Sequence, residues 1–135
     1  MSNQVVTRTL KASITNHSQV CDGLDSHGFA ASKLWNIGRW TISRVWDAID
    51  HIPSADELCS YLKTHERYAD LHSQSSQRVL QELGEAFISW YKQDDPDANP
   101  PGYRKHGDEH PRSTVTWKNN GFKLDTEYDR VRLSQ

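Results

Sequence analysis

Hydrophobic and polar residues alternate along the last part of the chain. In the string S-T-V-T-W-K, Val115 and Trp117 lie between threonines and a lysine, and this period of two, with β-branched and aromatic residues, predicts a half-buried strand. The string N-N-G follows, and Asn and Gly tolerate the positive φ angles of a type I′ turn. Apolar and polar residues alternate again in F-K-L. The pattern predicts a β-hairpin, with R-V-R-L near the end of the chain as a third short strand.

A similar alternation occurs near the start of the chain. Val6, Arg8 and Leu10 alternate with threonine and lysine, which predicts one strand. We expect both ends of the chain to contribute to one sheet. Because the intervening residues have helical patterns, the order of strand, helices and strands predicts an α+β fold with a helical insertion.

Apolar residues recur at spacings of three and four in three central segments, which predicts helices over about 28–50, 54–65 and 73–92. The second helix begins with S-A-D-E, in which Ser54 and Glu57 can form a capping box. The side chains expected to face the interior are Leu34, Ile37 or Gly38, Ile42, Val45, Trp46 and Ile49 in the first helix, Leu58, Tyr61 and Leu62 in the second, and Val79, Leu80, Leu83, Ala86, Phe87, Trp90 and Tyr91 in the third. Three such helices predict a small bundle.

A proline-rich loop ends this bundle. The string D-D-P-D-A-N-P-P combines three prolines, which exclude helix, with three aspartates, and we interpret it as a hinge. The predicted organisation is a first strand of the β portion over 1–16, a helical insertion over 17–93, a Pro- and Asp-rich hinge over 94–111, and a β-hairpin with the third strand over 112–135.

Trp35, Trp40 and Trp46 of the first helix admit two interpretations. An aromatic ring offers a stacking surface to a nucleic-acid base, whereas tryptophans at helical spacing are typical of a core. We favour the core in general and for Trp46 in particular. Both interpretations stay open for Trp40.

The composition limits the class of protein. A chain of 135 residues with 35% hydrophobic residues and five Trp can form one compact unit, or two small ones that share an interface. The mean hydropathy of -0.84 and the polar start of the chain predict neither a membrane span nor a signal peptide, and hence a cytoplasmic protein. Cys21 and Cys59 have no partner at metal-binding spacing and are expected to be buried, reduced thiols.

No catalytic or metal-binding constellation is evident in the sequence. The histidines lack the H-E-x-x-H spacing that places two imidazoles on one helical face, and Asp47 and Asp50, beside a helix end, are expected to face solvent. Glycine motifs for phosphate or dinucleotide binding are also absent from the sequence. We therefore predict no enzyme activity, metal or cofactor for this chain.

Positive charge is concentrated toward the C-terminal end. Residues 102–135 contain seven Arg or Lys against five Asp or Glu, whereas the whole chain has a net charge of -2. If the first strand pairs with the hairpin, one sheet would carry a basic patch that binds phosphate by releasing counterions, with a tryptophan for stacking. The predicted nucleic-acid contacts are Arg8, Lys11, Arg104, Lys105, Arg112, Trp117, Lys118 and Lys123. Against this, a pI near 6.4 with mixed charges is also typical of an ordinary soluble surface.

Several strings, taken in order, resemble a known family. They are K-L-W-N-I-G-R-W in the first helix, Q-R-V-L-Q-E-L-G-E-A-F-I-S-W in the third, and then P-G-Y-R-K-H, S-T-V-T-W, N-G-F-K-L and R-V-R-L. Together they resemble the N-terminal part of the TnpB (OrfB-type) transposon proteins, and more narrowly the branch common in halophilic archaea. Members of that family are RNA-guided DNA endonucleases. The resemblance implies a partial β-barrel, a wedge or OB-like domain, built from both chain ends and interrupted by a three-helix recognition insertion.

The resemblance extends to individual positions. The matching residues are Trp35 and Asn36 in the first recognition helix, Gly102 and Tyr103 in the family's Gly-Tyr turn, and Ser113, Phe122 and Leu124 in its hairpin. The chain departs from the family at Arg104 and His106, where many members have Pro and an aromatic residue. The turn is therefore expected either to lie differently or to contact phosphate more directly.

The catalytic part of the family lies outside the region of resemblance. A RuvC-like domain with Mg²⁺-binding Asp, Glu and Asp, and a Cys-x-x-Cys zinc ribbon, follow that region in the family, whereas this chain stops at Gln135. The resemblance implies a truncated product that binds guide RNA, DNA or both without cutting, with the full-length relative as a further partner. Two alternatives stay open: a helical protein-interaction module that uses Trp40, and a transposon remnant with no selected function.

Overall fold

The computed structural model describes residues 11–104, 115–117, 122–125, 127–128 and 130–133. Its elements are α1 His17–Ile49, α2 Ala55–Leu62, α3 Glu66–Ala69, α4 Ser73–Lys92, β1 Phe122–Asp125 and β2 Arg130–Leu133. The described chain is therefore α+β, mostly helical with a small antiparallel sheet. The predicted first strand falls largely on residues 1–10, outside the described residues.

The first helix is longer than its sequence predicts. It begins at His17 rather than near Gly28 and continues to Ile49. Half-buried Val20 and Leu24 extend the apolar face backward, but the polar residues and glycine around them hide the period in the sequence. At the other end, Asp50 adopts a left-handed conformation, and its backbone N–H donates to the Trp46 carbonyl at 2.8 Å. This terminates α1.

The predicted start of α2 and the predicted bounds of α4 are confirmed, although α2 ends at Leu62 rather than near His65. The Ser54 hydroxyl accepts from the Glu57 backbone N–H at 3.2 Å, and the Glu57 carboxylate accepts from the Ser54 N–H at the same distance, which completes the capping box. The helix α4 spans the predicted Ser73–Lys92. The sequence did not indicate the one-turn α3, whose His65 ring caps it by accepting from the Arg67 N–H at 3.1 Å.

The core lies between α1 and α4, with α2 and α3 closing its sides. Gly38 of α1 marks the closest approach, because a Cβ atom there would lie 2.8 Å from a methyl carbon of Leu83. Gly84 of α4 allows a similarly close approach to α2, because a Cβ atom there would lie 3.1 Å from the Cβ atom of Ala55. The buried hydrophobic residues are Ala30, Ala31, Leu34, Trp35, Ile42, Leu58, Leu62, Tyr68, Leu71, Val79, Leu80, Leu83 and Phe87.

Three side chains predicted to face inward are exposed instead. Ile49 and Tyr91 occupy the last turns of α1 and α4, where the apolar period continues beyond the partner helix, and Tyr91 is 76% exposed. Tyr61 is exposed because α2 buries only the narrow stripe of Leu58 and Leu62. Periodicity therefore identified the buried face of each helix correctly, but not how far along the helix that face is covered.

The tryptophans of α1 fall into three different environments. Trp35 is buried, and Trp46 is half-buried against Trp90 in an edge-to-face contact with ring centroids 5.8 Å apart. Both agree with the core interpretation. Trp40 is 55% exposed, so it is not a core residue.

The sheet pairs different segments from those predicted. Strand β1 pairs antiparallel with β2, with Phe122 opposite Leu133 and Leu124 opposite Val131, which confirms R-V-R-L as a strand. Residues 115–117 are not in a strand, and the predicted N-N-G turn lies outside the described residues. Val115 packs against the helical core instead. Val115, Thr116 and Trp117 are all half-buried, so burial does not alternate here, and the helices rather than a second strand cover the segment.

No helix in the described ranges is long and apolar enough to cross a membrane. Cys21 and Cys59 are both thiols, as predicted, and both are half-buried rather than buried.

Candidate nucleic-acid interface

Residues 101–104 are attached to the middle of α1 by three side chains, Trp35, Asn36 and Arg39, which we call the α1 clamp. The Trp35 indole N–H donates to the Gly102 carbonyl at 2.9 Å, across 67 residues of sequence. The Asn36 amide donates to the Arg104 carbonyl at 2.9 Å and accepts from the Arg104 backbone N–H at 2.7 Å. This two-way contact satisfies the backbone of Arg104 as a β-ladder would.

Arg39 completes the clamp one turn later. Its Nε donates to the Pro101 carbonyl at 2.6 Å, and a terminal nitrogen donates to the Ser43 hydroxyl. The guanidinium lies over the rings of Phe87 and Tyr103, at 5.1 and 5.6 Å from their centroids. Arg39 therefore joins α1, α4 and the Gly-Tyr turn through both hydrogen bonds and cation–π contacts.

The side chain of Arg104 also belongs to this packing. Its guanidinium lies 4.1 Å from the centroid of the Trp35 ring and 3.6 Å from a carboxylate oxygen of Glu82. Burial lowers the pKa of Arg104, and the Glu82 carboxylate opposes that shift. Arg104 was predicted to contact nucleic acid, but its main contacts are with the helical core.

A second attachment holds residues 115–117. The Ser75 hydroxyl, in the first turn of α4, donates to the Thr116 carbonyl at 2.7 Å. Trp117 contacts the His27 ring edge-on, with centroids 5.5 Å apart. Trp117 was predicted as a stacking residue on a sheet, whereas the structure places it half-buried against α1.

The described sheet has a basic face. Lys123 on β1 lies opposite Arg132 on β2, and both side chains are exposed. Like charges directly opposite each other repel, so this pair is suited to an anion that lies across both strands. Arg132 was not among the predicted contacts, although a register that pairs F-K-L-D with R-V-R-L identifies it at once.

The opposite face of the same strand pair is apolar and exposed. Leu124 is 70% exposed, and its partner Val131 is also exposed. An uncovered apolar strand face of this kind is typical of a surface that another element covers.

The predicted contacts are therefore only partly brought together. The residues that matched the family strings, Trp35 and Asn36 on one side and Gly102 on the other, meet in the α1 clamp, and the Tyr103 ring lies beneath Arg39. Lys11 is exposed near the start of the described chain, and Lys123 lies on β1. The four remaining predicted contacts, which lie outside the described residues, are Arg8, Lys105, Arg112 and Lys118.

An apolar groove of about 740 Å³ separates the end of α1 from α4. Trp46, Phe87 and Ile88 line it, with exposed Tyr91 at its rim. Within the described ranges, no group of three or more His, Cys, Asp or Glu side chains is arranged to hold a metal ion.

Comparison of the chain with protein-family models, curated proteins and solved structures finds no match.

Proposed function

We propose that this chain is a cytoplasmic nucleic-acid-binding protein that corresponds to the N-terminal part of a TnpB (OrfB-type) protein and binds guide RNA, DNA or both. The α1 clamp is the observation that carries the proposal. The family resemblance rests on separate strings around Trp35 and Gly102, and these strings form one contact in the structure. This contact supports interpreting them as parts of one motif.

The β1–β2 pair supports the partial barrel that the resemblance implies. A wedge barrel turns the apolar side of each strand inward and its polar side outward. The pair has this division, with Leu124 and Val131 on one face and Lys123 and Arg132 on the other. We propose that the predicted strand near Val6 contributes to the same sheet.

The proposal concerns binding alone. In the family, cleavage requires acidic residues of a RuvC-like domain, and we assign no such role, and no cofactor, to any residue of this chain. The exposed Lys123–Arg132 pair is the described element that would neutralise phosphate, together with Lys105, Arg112 and Lys118 from the predicted set.

The test is a salt titration of the purified chain with a structured RNA and a duplex DNA, measured by fluorescence anisotropy. We expect binding that weakens steeply with salt. The double variant Lys123→Ala and Arg132→Ala should reduce the slope of log K against log salt by about one to two units, because each lost phosphate contact removes roughly 0.9 on B-DNA. The triple variant of Lys105, Arg112 and Lys118 to Ala should weaken binding further.

A matched control is the double variant Lys63→Ala and Lys92→Ala, which removes two exposed lysines from α2's end and α4's end. It should leave the slope nearly unchanged. Arg104 is kept intact, because its substitution would disturb the fold. Absence of binding at low salt would exclude the proposed function.

The apolar groove favours a second candidate, a helical module that docks a larger relative of the same class. Such docking would bury Tyr91 and neighbouring Ile88, which a soluble protein otherwise exposes at a cost. A stable protein complex that is indifferent to salt, and is lost in Tyr91→Ala, would favour this candidate over nucleic-acid binding.

A further inference from the structure

The outer face of α1 carries a line of aromatic and cationic side chains, Phe29, Lys33, Trp40 and Arg44, which we call the α1 stripe. Their spacings of four, seven and four residues place all of them on one side of the helix. At 1.5 Å per residue, the stripe is about 22 Å long. Trp35 and Arg39 of the clamp lie on a different side of α1, whereas Asn36, four residues before Trp40, borders the stripe.

Each cation of the stripe lies over an aromatic ring. The Lys33 ammonium is 4.7 Å from the centroid of Phe29, and the Arg44 guanidinium carbon is 5.4 Å from that of Trp40. Trp40 is 55% exposed and Phe29 37% exposed. Each ring thus has a cation over one face, and the exposed part of the ring faces solvent.

The charge along this part of α1 has one sign. From Ser26 to Trp46 the sequence contains no Asp or Glu. Asp25 and Asp47 lie on the same line, four residues before Phe29 and seven after Trp40, so they bound the stripe at its two ends. A polyanion is attracted between these limits and repelled beyond them.

A third exposed aromatic residue continues the surface at the Arg44 end. Tyr61 of α2 is exposed and, together with Arg44 and Val45, lines a depression of about 610 Å³. The stripe therefore has a second element beside it rather than open solvent alone.

We infer that the α1 stripe binds an unpaired nucleic-acid strand, whose bases stack on Trp40 and Phe29 while its phosphates contact Lys33 and Arg44. This inference rests on the proposed function and specifies one surface for it. Aromatic rings can stack on bases only where those bases are not already paired. Stacking and phosphate contacts do not distinguish ribose from deoxyribose, so RNA and DNA strands of equivalent sequence should bind alike.

The character of the surface favours a nucleic-acid strand over a protein partner. A cation over each ring makes an aromatic surface suited to a polyanion with flat bases. The groove beside Ile88 and Tyr91 is lined mostly by apolar side chains and is the better protein-docking surface. The two surfaces can therefore be tested separately.

The experiment compares a labelled homopyrimidine strand, as RNA and as DNA, with a duplex of equal length, by anisotropy on the full chain. Trp40→Leu keeps an apolar side chain but removes the ring, and it should weaken single-strand binding about tenfold or more. Trp40→Phe keeps a ring and should retain most of the affinity. Neither variant should affect duplex binding.

Two further variants complete the design. Tyr91→Leu removes a still more exposed aromatic ring, from α4, and should leave single-strand affinity unchanged. Arg44→Gln leaves Trp40 in place and should lower the salt slope by about one unit, which tests the stripe even if Trp40→Leu fails to fold. Circular dichroism verifies the helical content of each variant.

Each result has a distinct meaning. Wild-type binding with no effect of Trp40→Leu or Arg44→Gln overturns this inference and leaves the proposed function intact. Equal losses for strand and duplex overturn it as well, since paired bases cannot stack on the ring. Self-association that is lost in Trp40→Leu, without a change in nucleic-acid binding, assigns the stripe to a protein. Absence of all nucleic-acid binding overturns both proposals.

Discussion

Asn36 is the residue on which the attachment of the turn to α1 depends most directly. Its amide uses both polar atoms on the backbone of one residue, Arg104, and both hydrogen bonds are partly buried. A side chain of different length or polarity cannot satisfy both backbone groups at once. The clamp thus gives Asn36 a structural role that is independent of any contact with nucleic acid.

We predict that Asn36→Ala lowers the free energy of unfolding by about 1–3 kcal/mol, because it leaves the Arg104 N–H and carbonyl without their partners. Urea denaturation followed by circular dichroism measures the change. Asn99→Ala removes an amide from an exposed loop position and should change stability by less than about 0.5 kcal/mol. Equal effects of the two substitutions would contradict the assignment.

Gly38 and Gly23 provide a second residue-scale test within the same helix. A methyl group at Gly38 would lie 2.8 Å from Leu83 and 3.0 Å from Leu80, both fully buried, whereas one at Gly23 would meet nothing within 4 Å. Gly38→Ala should destabilise the protein by about 1 kcal/mol net, because overpacking exceeds the gain in helix propensity. Gly23→Ala should stabilise it by about 0.5–1 kcal/mol. Thermal unfolding measures the change in stability of each variant, and the two changes should have opposite signs.

At the scale of elements, the sequence correctly predicted the features that depend on residues close together in the chain. The capping box at Ser54 and the apolar period of α4 lie within a few residues of the structure they specify, and both were correct. The start of α1 at His17 was missed, since its half-buried residues are sparse and their burial depends on distant helices. The clamp could not be predicted, because Trp35 and its partner Gly102 are 67 residues apart.

The pattern around Val115 also shows that local sequence does not identify distant contacts. Alternation states that one side of a segment is buried but not what buries it. Here the helical core covers Val115, and the Ser75 hydroxyl takes the place of a strand partner at Thr116. The strings quoted for the resemblance contain all three clamp residues, but the contacts of Arg39 and the involvement of Glu82 and Arg132 emerged only from the structure.

The start of α2 makes a pH-dependent prediction. The pKa of Glu57 is lowered, first by a hydrogen bond from His51 at 3.0 Å and then by the Ser54 backbone N–H. A lowered folded-state pKa stabilises the fold above the ordinary value of 4.5, and this contribution is lost as the pH falls through the lowered pKa. His51→Ala should therefore raise the pKa of Glu57 toward its ordinary value.

A carboxyl NMR titration measures that pKa directly. Tyr61→Phe is the matched control, because the Tyr61 hydroxyl is 3.5 Å from the same carboxylate, a weak contact whose loss should shift the titration much less. A pKa that stays unchanged in His51→Ala would assign the shift to the cap alone.

At the scale of the whole molecule, the described residues form a packed helical unit and a small amphipathic sheet. Residues 98–104 belong to the helical unit by their contacts, because Trp90 donates to the Ala98 carbonyl at 3.1 Å and the α1 clamp holds the rest. The prediction of a hinge over 94–111 therefore falls partly on anchored residues, and the remainder lies outside the described residues.

The exposed apolar face of the sheet leads to a prediction about the whole chain. Leu124→Thr together with Val131→Thr should leave helical stability within about 0.5 kcal/mol, because neither side chain belongs to the core, while reducing aggregation. Leu34→Thr, a change of the same type at a fully buried position, should cost about 3 kcal/mol. Denaturant unfolding and light scattering measure the two effects, and a large loss of helical stability in the double variant would show that the sheet is part of the same cooperative unit.

The second attachment, at Thr116 and Trp117, fixes where the sheet joins the helices. Trp117 contacts His27, two residues before the first ring of the α1 stripe, and β1 begins five residues later. The cations of the sheet and the stripe are therefore tethered by a short linker, and a strand that binds one would meet the other at a high effective concentration. Two individually weak surfaces would then act as a bivalent receptor, so that disabling either would remove the avidity of both.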